Sequence, residues 1–379
     1  MKSTHSSSQS SLVRLLVAAS GTGGHVFPAI AVAEQLPDYQ IEWLGVPDRL
    51  ETKLVPAHYP LHTIPLAGFQ QRFGLGTIRI LWQQIGAIWK VRQLLKAGKF
   101  DGVLTTGGYI AAPAILAARS LGLPVVLHES NAIPGKVTRW FSPWCSATAI
   151  GFAETARYLP RVKTVHVGTP VRHTFQNLDK ASPLELPIPD GVPLIVVVGG
   201  SQGAVAVNRL VRQAVPAWLE AGAWVVHLTG ENDPDAKSLM HPHYLVLSFY
   251  DDMAALLNRA NLAISRAGSG SLTELAATHT PAILIPYPYA AEDHQTYNAA
   301  VFETAGAAIV CQQVDLTPEW LTTEVLQLLR SYHQAIAAPT GVDADESSNT
   351  LQTMAQQAAT LAMTDSAERL AKLIRQLLQ

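Results

Sequence analysis

At 379 residues the chain exceeds what one hydrophobic core comfortably fills, and a composition of 48% hydrophobic and 15% charged residues fits a two-domain globular protein with a large interior. No uncharged apolar run reaches the roughly 18 to 20 residues that span a bilayer, and a net charge of −2 excludes a generally basic nucleic-acid binder. The two cysteines, Cys145 and Cys311, match no metal or redox spacing and read as buried free thiols of a reducing cytoplasm.

The polar stretch Met1–Ser11 predicts a disordered tail, and Arg14 inside the following apolar run counts against a secretory leader. That run, Leu12–Ala19, breaks into Ser20-Gly21-Thr22-Gly23-Gly24-His25. A buried parallel strand that turns through glycines into a helix lets backbone N–H groups approach a phosphate, and the helix N-terminus adds a favourable dipole. Val26 occupies the place of the third glycine in the dinucleotide fingerprint, which disfavours a nicotinamide-dependent dehydrogenase. Most of the 13 histidines must be local packing or capping groups. His25 ranks first among them because it follows the glycines at the rim of the expected site, where a neutral imidazole can take a proton from a hydroxyl.

A strand is predicted at Ile41–Gly45, and beyond it the charge becomes one-sided. Asp101 is the single acid between Thr52 and His128, against Lys53, Arg72, Arg79, Lys90, Arg92, Lys96, Lys99 and Arg119, a balance that attracts anionic surfaces or pyrophosphate. Within this region Thr77–Leu95 has helical periodicity, with Ile78, Leu81, Trp82, Ile85, Ile88 and Trp89 on one face and Ile80, Ala87, Val91 and Leu94 on a second stripe. One stripe packing on a sheet explains half of this surface. The rest is either buried on its other side too or an interfacial membrane contact.

Strands at Gly102–Thr105 and Val125–His128 each end in a polar or glycine cluster, Thr106-Gly107-Gly108-Tyr109 and His128-Glu129-Ser130-Asn131-Ala132-Ile133-Pro134-Gly135. The first is either a structural turn or a point of close ligand approach, whereas the second carries more polar groups than a turn requires. After Val165–Val167 the irregular stretch from Gly168 to Pro193 reads as an interdomain linker, dividing the chain into 12–168 and 169–379.

The second half repeats the rhythm, with strands at Ile195–Val198, Trp224–Thr229, Tyr244–Leu247, Leu262–Ser265, Ala282–Pro286 and Ala307–Val310. Its first strand runs into Gly199-Gly200-Ser201-Gln202-Gly203-Ala204, a second glycine turn. Ser265–Glu274 reads as strand, glycine-serine turn and helix, with Glu274 either capping the helix together with Ser271 or accepting hydrogen bonds from a ribose diol. The loop from Pro286 to Asn298 has the hydrogen-bonding and aromatic content of a sugar reader. Asp251-Asp252 opens a helix, where acids are expected anyway, so no obligatory metal or other cofactor is predicted and leaving-group charge falls to backbone N–H groups and Arg172. The stretch Ala337–Asn349 resembles an inserted loop, and a helix from about Asp365 to Gln379 closes the chain.

Six motifs taken in order resemble the MurG family, the lipid-linked N-acetylglucosaminyltransferases of bacterial peptidoglycan synthesis, over nearly the whole chain: Gly21–Ala29, Gly107–Tyr109, His128–Gly135, Val167–Arg172, Gly199–Ala204 and Asp293–Asn298. The resemblance implies an α/β GT-B fold of two Rossmann-like domains with parallel sheets facing a cleft. It also implies transfer of N-acetylglucosamine from UDP-N-acetylglucosamine to the 4-hydroxyl of N-acetylmuramic acid in undecaprenyl-linked lipid I, giving lipid II with inversion at C1 and no covalent intermediate. The implied place is peripheral, on an anionic membrane surface at the cytoplasmic face of the inner membrane, among other cell-wall synthesis enzymes.

By matching position, the resemblance makes His25 the base, supported by His128 or Glu129. It places Thr22, Gly23 and Gly24 along the phosphates, and Asn131, Arg172, Ser201, Gln202, Gln295 and Asn298 on the UDP-sugar. The backbone around Tyr250 falls beside uracil, Ser271, Leu272 and Thr273 at the donor, Glu274 on its ribose and Tyr109 toward the acceptor. Ser20, Ser130, Thr169 and Ser269-Gly270-Ser271 depart from the family pattern while keeping small or polar character. Two rival readings are a UDP-N-acetylglucosamine 2-epimerase of the same fold, which needs no lipid acceptor, and a noncatalytic membrane-surface scaffold, which leaves His25 and the sugar-reading loop without a task.

Overall fold

The computed structural model describes residues 12–66, 75–176, 178, 183–200, 203–337 and 350–378. The polar tail, Arg72, Ser201, Gln202 and the 338–349 stretch lie outside the described residues, as do the side chains of residues 75–81, Ile78 among them.

Seven strands form the first sheet: β1 (Arg14–Ala19), β2 (Gln40–Gly45), β3 (Leu61–Thr63), β4 (Gly102–Gly107), β5 (Val125–Glu129), β6 (Ala147–Ile150) and β7 (Thr164–His166). Their order is β3-β2-β1-β4-β5-β6-β7 and every pairing is parallel, with Val17 opposite both Trp43 and Leu104. Parallel neighbours require crossovers, supplied here by α1 (Gly23–Glu34), α2 (Glu51–Leu54), α3 (Leu75–Ala97), α4 (Ala111–Ser120) and α5 (Lys136–Phe141). Both faces are covered, which is why β1 is apolar without alternation.

The second sheet has the order β10-β9-β8-β11-β12-β13, again wholly parallel. Its strands are β8 (Leu194–Val198), β9 (Trp224–Leu228), β10 (Tyr244–Leu247), β11 (Leu262–Ser265), β12 (Ala282–Leu284) and β13 (Ala308–Val310). They are interleaved with or followed by α6 (Val205–Glu220), α7 (Met253–Arg259), α8 (Ser269–Ala277), α9 (His294–Thr304), α10 (Pro318–Ala337), α11 (Thr350–Thr360) and α12 (Ser366–Leu378). In each sheet the order reverses once, beside β1 and β4 in the first and beside β8 and β11 in the second. Ligands of open α/β sheets bind at the carboxyl ends of strands at such switch points, and these strands are the ones that end in the glycine clusters.

The eleven predicted strands are present within a residue or two, and the structure adds β3 and β6. Neither Leu61-His62-Thr63 nor Ala147-Thr148-Ala149-Ile150 offers the long apolar run that marks the others. A larger departure concerns the division at Gly168, which assigns the last helix to the second half. Instead α12 crosses back to the first sheet, where Leu370, Ala371, Leu373 and Ile374 join a core with Leu15, Val17, Ala29 and Trp43. Arg375 fixes the arrangement by donating to the carbonyl of Gln35 at 3.2 Å and pairing with Asp38. A one-sided apolar stripe needs only a matching core, and sequence distance does not restrict which one it finds.

The long helix α3 resolves the question of its two stripes. Ala87, Val91 and Leu95 are buried with Leu16, Ile115 and Leu127. Trp82, Ile85 and Trp89 stay 69%, 56% and 60% exposed, so the tryptophan stripe is not packed on its other side.

A cleft between two carboxyl edges as candidate active site

At the end of β1 the chain turns through Gly21 into α1, with Thr22 exposed at the N-cap and His25 half-buried in the first turn. Glu51, buried without a cation beside it among the described residues, braces this turn to the end of β2 by accepting from the amides of Gly21 at 3.0 Å and Val46 at 2.8 Å. His25 Nδ1 donates to the carbonyl of Ser20 at 3.1 Å, which leaves Nε2 as the basic atom. Nε2 faces Gly107, where a Cβ would lie 3.0 Å away and where φ of +111° excludes most side chains, so that turn needs glycine on both grounds. Burial holds the His25 pKa below the usual histidine range, opposed by the Ser20 bond and the nearby Glu129 charge. Tyr109 follows on the same rim, half-buried, with the Arg49 guanidinium 5.7 Å from its ring centroid.

His128 and Glu129, expected to support His25, are both engaged with their surroundings. His128 is buried, with Nε2 donating to the carbonyl of Gly168 at 2.9 Å and Nδ1 3.3 Å from the Ser130 hydroxyl, and burial keeps its pKa low. Glu129 accepts at Oε1 from the backbone and side-chain amides of Asn131 at 3.1 and 3.0 Å, and at Oε2 from Gly135 N at 3.1 Å and the Thr138 hydroxyl at 2.6 Å. Four donors from one loop satisfy one carboxylate, so it organises residues 131–138.

That loop meets the second half directly. Asn298, on α9 and fully buried, accepts from Ala132 N at 2.8 Å and donates to Asn131 Oδ1 and Ala267 O, each at 3.1 Å. Asn298, expected on the UDP-sugar, thus bridges the 131–132 segment of the first half and the turn after β11 in the second. Lys136 reaches Glu292 at 3.3 Å across the same junction. Glu292 and Asp293 both have left-handed backbones, with φ of 54° and 53°, and turn the chain sharply into α9. Gln295 spends its carbonyl oxygen on Ala267 N at 3.2 Å and Tyr287 N at 3.0 Å.

On the second edge, Arg172 donates to Glu274 Oε1 at 2.8 Å from the linker, bringing two expected donor ligands together. Burial raises the Glu274 pKa and Arg172 only partly reverses this, the mark of a carboxylate with a single cationic partner. The capping alternative for Ser271 and Glu274 fails, because α8 starts two residues earlier, with Gly268 at its N-cap. Leu272 is fully buried in the core with its amide bonded to Gly268 O at 3.0 Å, and the Thr273 hydroxyl returns to Ser269 O at 2.8 Å. Ser271 is half-buried on the first turn of the same helix. Tyr250 is half-buried after β10, beside an exposed Phe249.

Sequence reading missed several supports because their signal lies in tertiary contacts. Buried Arg266 donates to the carbonyls of Ile285 and Pro286 at 3.0 and 3.1 Å and to Gln313 at 2.6 Å, and lies 5.4 Å from the Tyr287 ring centroid. Asn208 and Arg212 on α6 hold Asp233 at 2.7 and 2.8 Å, and Asn208 also holds Thr229 O at 2.9 Å, pinning the helix after the second glycine turn. In that network burial and Arg212 push the His227 pKa down to about 3. Among the described residues no group of three or more His, Cys, Asp or Glu is arranged around a common point as metal ligands are.

Two wholly parallel sheets, each with a glycine turn at its switch point and joined through residues at their carboxyl edges, have the architecture of the GT-B fold class. Residues 15–150 match the glycosyltransferase family 28 N-terminal domain and residues 194–370 the family 28 C-terminal domain. Proteins named UDP-N-acetylglucosamine--N-acetylmuramyl-(pentapeptide) pyrophosphoryl-undecaprenol N-acetylglucosamine transferase are similar throughout. The one from Nostoc sp. is 63% identical over 367 residues, covering 97% of this chain and 98% of the relative. The one from Nostoc punctiforme is 62% identical over the same length and coverage. The crystal structure of Acinetobacter baumannii MurG superposes with a TM-score of 0.74 at 31% identity, over 96% of this chain and 99% of that one. The chain belongs to the MurG family of glycosyltransferases.

Proposed function

We propose that the chain moves N-acetylglucosamine from UDP-N-acetylglucosamine to the 4-hydroxyl of the N-acetylmuramoyl unit of undecaprenyl-linked lipid I, producing lipid II. The observation that carries the active-site assignment is a neutral His25 with Nε2 at the first switch point, joined through the 131–138 loop to an edge that holds the Arg172–Glu274 pair. The acceptor hydroxyl gives its proton to His25 Nε2 as its oxygen attacks the sugar C1, while the C1–O bond to the diphosphate breaks and UDP leaves with the electron pair. Arg172 and the backbone N–H groups at the starts of α1 and α8 meet the leaving charge. Glu274 takes the ribose, Gln295 and Asn131 the sugar side, Ser271 with Ser201 and Gln202 the diphosphate side, Tyr250 the uracil and Tyr109 the acceptor. His128 and Glu129 act by position.

The chain carries no helix among its described residues long and apolar enough to cross a membrane. We read the exposed Trp82, Ile85 and Trp89, with Lys90 and Arg92 on the same helix, as the surface that rests on the anionic cytoplasmic leaflet. Changing both tryptophans to Ser should reduce sedimentation with anionic vesicles severalfold and leave turnover of a short-chain acceptor unchanged; equal sedimentation of variant and parent removes this reading.

Transfer of labelled N-acetylglucosamine to a short-chain lipid I analogue, with EDTA present and an acceptor-free control, tests the activity. Acceptor-dependent label is the expected result. UDP-N-acetylmannosamine without transfer would make the protein an epimerase, and donor binding without either product would leave a scaffold.

A further inference from the structure

Phe27 belongs to the first half of the molecule, on α1 two residues after His25, yet its neighbours lie at the donor edge. The Arg172 guanidinium carbon is 5.3 Å from the Phe27 ring centroid and 5.2 Å from that of Phe175, so the cation is held between two aromatic rings. The same guanidinium reaches Glu274 at 2.8 Å, and its buried Nε has no hydrogen-bond partner in the protein. Behind the ring stands the first glycine turn, where a Cβ at Gly23 would come within 3.0 Å of Phe27 Cε2. The ring edge thus lies against the glycine turn while the Arg172 guanidinium sits over the ring. Phe175 is buried in the second half's core, so Phe27 is the partner that the first half supplies.

We infer that Phe27 is a positioning residue for the donor site: it fixes the plane of Arg172, and so makes affinity for a uridine diphosphate depend on the half that receives the acceptor. The inference rests on Arg172 contacting the donor. An arginine restrained on two faces loses few rotamers when it takes up a diphosphate, and a ring quadrupole attracts the cation without offering a competing hydrogen bond. Glu274 alone restrains one nitrogen and leaves the plane to rotate.

The test is calorimetric titration of UDP together with steady-state kinetics on Phe27→Leu, Phe27→Tyr and each change combined with Arg172→Lys. Phe27→Leu should weaken UDP binding and raise the donor KM by about three- to tenfold, with acceptor KM, kcat and melting temperature nearly unchanged, and Phe27→Tyr should restore the parent values. In the Arg172→Lys background Phe27→Leu should cost less than about twofold, because the planar group it orients is gone. The inference is overturned if Phe27→Leu lowers only the melting temperature or active fraction, if Phe27→Tyr binds as poorly as Phe27→Leu, or if the loss is equally large in the Arg172→Lys background. A parent that binds UDP but transfers nothing would defeat the proposed activity, and the UDP titrations would still decide the role of Phe27.

Discussion

Glu129 and Glu274 are both carboxylates at the carboxyl edge of a parallel sheet, and they are held in opposite ways. Glu129 is saturated by four neutral donors of its own loop, whereas Glu274 has one arginine from the linker and a pKa raised by burial. A carboxylate whose lone pairs are filled by its own chain builds structure. One left short of partners is held ready for a ligand at a cost to the unliganded fold. On the proposed function, the first edge is prebuilt around the His25 nitrogen, and the second is completed by the donor.

The largest effect should come from that nitrogen. His25→Ala is expected to lower kcat by about 10²- to 10⁴-fold with UDP binding within twofold of the parent, measured by initial rates and calorimetry; an unchanged kcat would remove the base from the first edge. Because burial lowers the His25 pKa, the neutral, active form persists below pH 6.5, and the acid limb of kcat/KM should lie below the ordinary histidine value. A limb above it would mean that the nearby Glu129 and Glu51 charges outweigh burial at the imidazole, and a basic limb in its place would mean that the imidazole works as a cation.

Glu129→Gln comes next. It leaves two of the four donors without an acceptor and should destabilise the fold by about 3 kcal/mol in denaturant titrations, with a parallel loss of activity as residues 131–138 loosen. Glu274→Gln should do the reverse. A folded pKa above the unfolded one favours folding at low pH and loses that advantage as pH rises through the folded value, so at neutral pH the charge is a burden. The variant should melt within about 2 °C of the parent and raise the donor KM at least tenfold, about 1.4 kcal/mol. If the two glutamines instead exchange these behaviours, the contrast between the edges is wrong.

Much of this molecule is legible in its sequence because parallel strands buried on both faces are unbroken apolar runs, and both glycine clusters fall at the switch points they suggest. The cleft chemistry divides more sharply. His25 and Glu274 stand out by position, each a titratable group beside a glycine turn. The burial of Leu272 and the bonding of Thr273 and Asn298 are not legible in the sequence, since helix phase and interdomain bonding decide where a side chain goes. Glu51, Arg266 and Asn208 give no local sign at all: their partners are backbone carbonyls, amides and carboxylates from other elements, brought together only by folding.

The return of α12 to the first sheet also has a consequence for the order in which the protein is made. The strands of the first sheet leave the ribosome before the strip that covers Leu15, Val17 and Trp43, which arrives with Leu370, Ala371, Leu373 and Ile374 only after the second sheet has been synthesised. Until then an apolar face beside α1 stays open to solvent or to a chaperone, so maturation of the half that carries His25 depends on the last helix as much as on its own strands.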